Sequence, residues 1–352
     1  MRLVCNYFTG AGHGGSISTF LFAFVLSATG TAYGDGLSDL RGVSVFKDAD
    51  LNRLANGEIL AQRGPQPGLS RGIVIESAFV VHASVPQAAA GLEQFNPARH
   101  SELRTYLQVD IGSSPSPNDF QKLSSAPNNS SVKAFVAATE SLPGDSSKLQ
   151  LSKQEVRLYQ PSGDKGNVPP SVVAFWSQVL TQRTKEFLSG GLSGLAPYDA
   201  GGNSLKPGEE LNRLVREDAK VRSQFSSLIE STPLGGGRGS LSPGLYWTLF
   251  EGDNEAAVAL GASYGKNVGD GWQGADIQYY ASGDLNVGVV FYQMWPITIN
   301  GSQATLVWRS DLISSSSIGE LRGVERMGSG SALLREIQKN VRALLKDMPA
   351  RR

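Results

Sequence analysis

Cysteine occurs once in these 352 residues, at Cys5. A single thiol so close to the N-terminus excludes a disulfide framework, a cysteine zinc site and an iron–sulfur cluster. A surplus of charge is also missing: Lys and Arg total 32, and so do Asp and Glu. With nothing left over to neutralise phosphates, nucleic acid is not expected as a partner. Histidine is scarce, with only His13, His82 and His100. No apolar run reaches the roughly 20 residues that a spanning helix needs. A phosphate loop ending in Gly-Lys-Ser/Thr is absent, and the closest approach to a Gly-x-Ser-x-Gly nucleophile elbow is Gly191-Leu-Ser193-Gly194 in a Gly-rich turn. No repeat of solenoid length occurs either.

What is present fits a globular protein, with 40% apolar and 18% charged residues. The N-terminus sets the expected compartment. Arg2 is the only formal charge before Asp35, Ile17–Ala28 is a compact apolar block, and Gly30-Thr31-Ala32 supplies small residues. That is the order of a secretory signal, with cleavage expected within 32–34 and a secreted or periplasmic product. Cys5 precedes the block and leaves with it, so the mature chain from Asp35 has no thiol. Gly10-Ala-Gly12-His-Gly14-Gly15 formally contains a dinucleotide-binding Gly-x-Gly-x-x-Gly. The run after it is apolar all round, and no strand–helix alternation follows, so the signal-peptide reading is preferred.

Along 35–352, read as one domain, Asp48–Ala55 predicts a short Asp-capped helix and Glu58–Arg63 an edge strand. Gly72–Ala83 is β-branched and apolar and predicts a strand. Val85–Phe95 opens with Pro86 and predicts a helix. Leu103–Ile111 alternates as a further strand. A helical insertion is expected over about 113–231, with candidates at Val132–Thr139, Val172–Leu188, Glu209–Val215 and Val221–Ile229. A flexible join follows at 232–244.

The C-terminal third carries most of the fold information. Leu245–Phe250, Ala256–Tyr264, Trp272–Ala281, Val287–Ile299 and Ala304–Ile313 are strand-like, and the turns between them are too short for crossover helices. Asn300-Gly301 is the clearest hairpin turn. Val289, Phe291 and Trp295 alternate with Val290, Tyr292 and Met294, so this strand is apolar on both faces and must be covered on both. Ser331–Met348 closes the chain as an amphipathic helix with Leu333, Leu334, Ile337, Val341, Leu344 and Leu345 on one stripe. The fold class is therefore α+β: an antiparallel meander gripping a long C-terminal helix, with the helical insertion packed on the sheet.

No catalytic constellation stands out. His82 ends the first strand and reads as structural, and His100 reads as a loop histidine paired with Glu102 or Arg99. Glu251, Asp253 and Glu255 fit no calcium loop and read as a solvated turn. Neither a metal nor a cofactor is expected. The candidate ligand-binding residues are the strand aromatics Trp247, Tyr264, Tyr279, Phe291, Tyr292 and Trp308, weighed against ordinary core packing. Asp276 with Gln278, and Arg309 with Asp311, share faces within their strands and read as orientation contacts or surface ion pairs.

The strand running into a Pro-started helix (Val80–Leu92), the later meander and the closing helix together resemble the START-like (SRPBCC) helix-grip superfamily. That group includes lipid-transfer domains, plant pathogenesis-related proteins, polyketide cyclases and hydrolase activators. The resemblance covers Gly72–Leu92 and Leu245–Met348. The chain departs from it in the roughly 150 residues between first helix and meander, and in being exported. The resemblance implies a cavity between sheet and helix for a hydrophobic or amphipathic small molecule. Three functions follow as expectations: an exported lipid-binding or carrier protein, a cavity enzyme of cyclase or hydrolase type using Tyr, Asp or His82, and an envelope protein-interaction module using the inserted helices.

Overall fold

The computed structural model describes residues 35–142, 144–201, 204–252, 255–320 and 323–348. The expected signal segment lies outside the described residues. Eight strands form one antiparallel open sheet: β1 (Leu60–Arg63), β2 (Gly72–Val81), β3 (Thr105–Ile111), β4 (Gly244–Gly252), β5 (Glu255–Val268), β6 (Gly271–Ala281), β7 (Leu285–Ile299) and β8 (Ser302–Ser315). Their order is β1-β2-β8-β7-β6-β5-β4-β3. β4 to β8 are a meander of sequential hairpins. β2 closes onto β8 with Gly72 opposite Ser314 and Val81 opposite Thr305. The Asn300-Gly301 turn has positive φ at both residues, 50° and 76°, as a tight hairpin of this kind requires.

The α-helices are α1 (Gly36–Val43), α2 (Leu51–Ala55), α3 (Val85–Gln94), α4 (Ser130–Glu140), α5 (Lys153–Val156), α6 (Pro170–Gly190), α7 (Pro207–Glu217), α8 (Ala219–Gln224), α9 (Ser226–Glu230), α10 (Ser316–Glu320) and α11 (Gly323–Asp347). Local chemistry explains several of them. Asp50 accepts from Asn52 N to start α2. Gln87 Oε1 accepts from Ser84 N, closing a capping box before α3, whose first turn carries Pro86. The helix expected over Val221–Ile229 is instead broken at Phe225 into α8 and α9. The reason is packing: Phe225 is fully buried and stacks on Phe291 and Trp308.

The sheet carries apolar packing on both faces, as the double alternation of β7 requires. Every residue of β2 is buried. Val74, Ala78 and Val80 enter one large cluster with the inserted helices, together with Val289, Phe291 and Trp295 of β7. On the opposite face, Phe79, Val81, Tyr292, Met294 and Val307 pack with Val85, Ala88 and Ala89 of α3 and Val341, Leu344 and Met348 of α11. Ile73 and Ile75 pack there with Ile318 and Ile337. Burial of α6 is extensive, including Val172, Phe175, Trp176, Val179, Leu180 and Phe187. Its apolar stripe is thus used inside the protein. Among the described residues, no helix is long and apolar enough to cross a membrane.

Candidate functional site

Strand alternation places a defined set of side chains on the sheet face shared with α3 and α11. One register row runs Ile313, Gly288, Gln278, Gly261, Tyr246 across β8, β7, β6, β5 and β4. The next row runs Asp311, Val290, Asp276, Ser263. Glycine is what opens this floor. A Cβ on Gly261 would stand 2.1 Å from Tyr246 Cζ, so the phenol lies flat across β5. Trp272 lies in the same way over Gly265 and Gly274. A Cβ on Gly288 would meet nothing nearer than Leu312 O at 3.7 Å, an ordinary van der Waals contact, so a methyl fits at that buried position.

Laid across Gly261, the Tyr246 hydroxyl donates to Asp276 Oδ1 at 2.6 Å. Arg309 clamps Asp311 through two bonds, Nε to Oδ2 at 2.8 Å and Nη2 to Oδ1 at 2.6 Å. Its Nη1 donates to Asn340 Oδ1 of α11 at 2.6 Å. The guanidinium also sits over the Tyr292 ring at 5.6 Å. This pair is buried, so the surface ion-pair reading of Arg309 and Asp311 is corrected: α11 and the sheet remove both side chains from bulk water.

The electrostatics divide the cluster. Burial works against the Arg309 charge, but the attraction of Asp311 overcomes it and its pKa is raised. Asp276 has no such cation. Burial pushes its carboxyl up to about 6, against the lowering effects of the Tyr246 bond and the more distant Arg309. Burial likewise raises the Tyr246 and Tyr292 phenols, so both are neutral donors. Asp276, Gln278, Tyr246 and Val290 are nevertheless only half-buried.

A cleft of about 890 Å³ lies at the end of the sheet, lined by Phe250, Ala257, Ile313 and Leu333 on this side and by Phe135, Ala138 and Leu149 of the opposite cluster. Asp276 and Tyr246 are not part of its lining. That volume lies in the range of small-molecule sites, about 300–1,000 Å³. Ile313 in its floor begins the row that ends at Tyr246. Phe250 stands four residues along β4 from Tyr246, about 13 Å at strand rise. The far end of the face is occupied by Trp272 and Met294 against α3.

Of the six aromatics expected to bind ligand, Tyr292 alone lies on this face. Trp247, Tyr264, Tyr279, Phe291 and Trp308 belong to the opposite cluster. There Phe187 stacks on Tyr279 at 4.0 Å, Phe225 on Phe291 at 4.8 Å, and Phe120 tilts against Trp247 at 6.0 Å. Sequence reasoning passed over Tyr246 and Asn340. The signal for Tyr246 was a bulky ring facing a glycine two strands from Asp276. Asn340 gave no signal beyond being polar on an amphipathic helix.

His82 is exposed, its ring bonded to Ala55 O. His100 pairs with Asp347, and Glu102 with Lys346, so the expected pairing within the loop gives way to two contacts with the end of α11. Among the described residues, no group of His, Cys, Asp and Glu side chains is arranged to hold a metal ion. The chain matches no protein-family model, no curated protein and no solved structure.

Proposed function

We propose that this chain is an exported carrier that binds an amphipathic small molecule between the sheet and α11, in the manner of a helix-grip protein. The strand order supports the resemblance, because β2, α3, the meander and α11 follow one another as that superfamily would have them. The observation that carries the reading is a contrast of lining. Apolar walls from Phe250, Ile313, Ile318 and Leu333 meet polar groups at Asp284, Ser315 and Ser317 in one cleft, at the end of the face that carries Asp276. Such a gradient suits a ligand with an apolar body and one polar end.

Gly288 supplies the test, because it pairs with Ile313 in the cleft floor and a Cβ there makes no clash, Leu312 O being nearest at 3.7 Å. The full chain should bind the apolar fluorophore 1-N-phenylnaphthylamine. Gly288→Leu should fold normally by circular dichroism and bind it at least about tenfold more weakly. Unchanged binding in the variant, or none in the wild type, would remove the proposal.

A second reading, a proton-transfer enzyme working on the same sheet face, is favoured by the Asp276 carboxyl at about 6 beside a neutral phenol. His82 is exposed and bonded to backbone, so Asp276 and Tyr246 are its candidate groups. Recovery of the bound compound chemically unaltered after incubation would count against it.

A further inference from the structure

We infer that the amphiphile carried by this protein has a cationic, hydrogen-donating head, of which a protonated primary amine is the simplest, and that this head docks at the Asp284–Ser315–Ser317 edge of the cleft. This deepens the carrier reading and rests on it. On that side of the cleft the side-chain hydrogens are already spent. Asp284 Oδ2 accepts from both Ser315 Oγ and Ser317 Oγ, and its Oδ1 accepts from Ser317 N at 2.8 Å. The two hydroxyls lie 2.9 Å apart, but each has a single hydrogen and the carboxylate takes it. Ser316 Oγ donates to Asn286 Oδ1, and Ser147 Oγ donates to Asp145 Oδ1. Gln150 gives its amide hydrogens to Asn286 Oδ1 and Asp284 O, while its own Oε1 is buried without a partner among the described residues. These serines, Gln150 and Asp284 all line the cleft. Their side chains offer a ligand lone pairs and no hydrogen.

Charge points the same way. In the lining, Arg104 is held by Glu251 at 2.8 Å, Lys148 stands 4.0 Å from Glu255, and Glu336 accepts from Lys339 at 2.7 Å. Asp284 has no ion-pair partner among the described residues. Arg104 and Lys148 do keep hydrogens to give, but their partners sit on β4 and β5. Those strands lie three to four spacings from Ser315 on β8, about 14–19 Å across the sheet. Asp284 is exposed, as suits a ligand head that stays near water, while Ile313 and Ile318 beside the serines supply apolar wall for the body. A carboxylate or phosphate head would set an anion against Asp284 and find no side-chain donor there. A hydroxyl supplies one hydrogen without charge. A protonated amine supplies three hydrogens and the missing cation, and its bond to the carboxylate is charge-assisted on both sides.

The test uses decylamine, decyltrimethylammonium, decan-1-ol and decanoate, all with the same ten-carbon chain, as displacers of 1-N-phenylnaphthylamine from the full chain at neutral pH. Decylamine should bind at least about fivefold more tightly than decan-1-ol, a modest factor because Asp284 is exposed. Decyltrimethylammonium carries the charge with no hydrogen to donate, and should bind at least about threefold more weakly than decylamine. Decanoate should be the weakest. In Asp284→Asn the amine-to-alcohol ratio should drop to within about twofold of one, whereas Glu336→Gln, which removes a charge from the same lining, should keep it. The wild-type series needs no substitution, so it decides the matter if Asp284→Asn folds poorly. Three results overturn the inference and leave the carrier reading standing: decanoate or the quaternary ammonium binding as tightly as decylamine, an amine preference that survives in folded Asp284→Asn, or one lost equally in Glu336→Gln. If the probe and all the displacers fail to bind, the carrier reading falls and this inference with it.

Discussion

Replacing Asp276 by Asn should stabilise the protein at neutral and alkaline pH, and the structure sets the size of the gain. Burial lifts this carboxyl from 3.8 to about 6 in the folded chain. That rise corresponds to roughly 3 kcal/mol against the ionised folded form. Because water still touches the group, screening should reduce the effect, and about 1–2 kcal/mol is the expected remainder. The amide keeps the interaction that matters structurally, since Asn Oδ1 can still accept from the Tyr246 hydroxyl that now meets Asp276 Oδ1. The sign follows from proton counting. Between about 4 and 6 the folded state holds the proton that the unfolded state has released, so wild-type stability falls as pH rises through that window. Asp276→Asn lacks this fall. Urea unfolding of both proteins at pH 4 and pH 8 should therefore show little difference at the lower pH and a more stable variant at the higher. A variant that is less stable at pH 8, or one whose gain is equal at both pH values, would refute the desolvation argument.

Other outcomes follow from the same packing and charges. Gly261→Ala should push the Tyr246 ring off β5, because the new methyl would overlap the phenol. Losing the Tyr246 bond removes an influence that lowers the Asp276 carboxyl, so its titration midpoint, followed by carboxyl NMR, should move above about 6. Arg183→Met should cost about 3–5 kcal/mol in urea unfolding, since it strands buried Glu155, now 2.6 Å from the guanidinium. The double variant with Glu155→Met should recover much of that loss. Phe225→Ala should cost about 3–5 kcal/mol by removing the ring stacked on Phe291 and Trp308, with unchanged probe binding because Phe225 does not line the cleft.

Much of the fold was legible in the sequence because period-2 alternation and turn chemistry are local signals. The meander from Leu245 to Ile313, the Asn300-Gly301 turn and the two-faced strand around Phe291 were all read from neighbours only a few residues apart. The break at Phe225 was not readable, since it depends on rings more than sixty residues away in sequence. The candidate site was legible in half. Asp276, Gln278, Arg309 and Asp311 drew notice as polar groups inside strands, and their face-sharing was correct. What alternation cannot supply is which side of a doubly covered sheet is filled solid. Trp247, Phe291 and Trp308 attracted attention by size, yet large rings are also what a close-packed core uses, and partners such as Phe120, Phe187 and Phe225 arrive from the insertion. Tyr246 looked ordinary because its meaning comes from Gly261, a residue whose contribution is the absence of a side chain.

The pairing of β2 with β8 has a consequence for how the chain is made. β2 is apolar along nearly its whole length, and the strand that covers its inner edge begins at Ser302. At a synthesis rate of about 5–20 residues per second, the intervening stretch takes on the order of ten seconds to most of a minute. Throughout that interval a ten-residue template for strand addition stands with only the short β1 beside it. The nascent chain is therefore most exposed to mispairing and to capture by chaperones early in its life, and it becomes safe only when the final hairpin is complete.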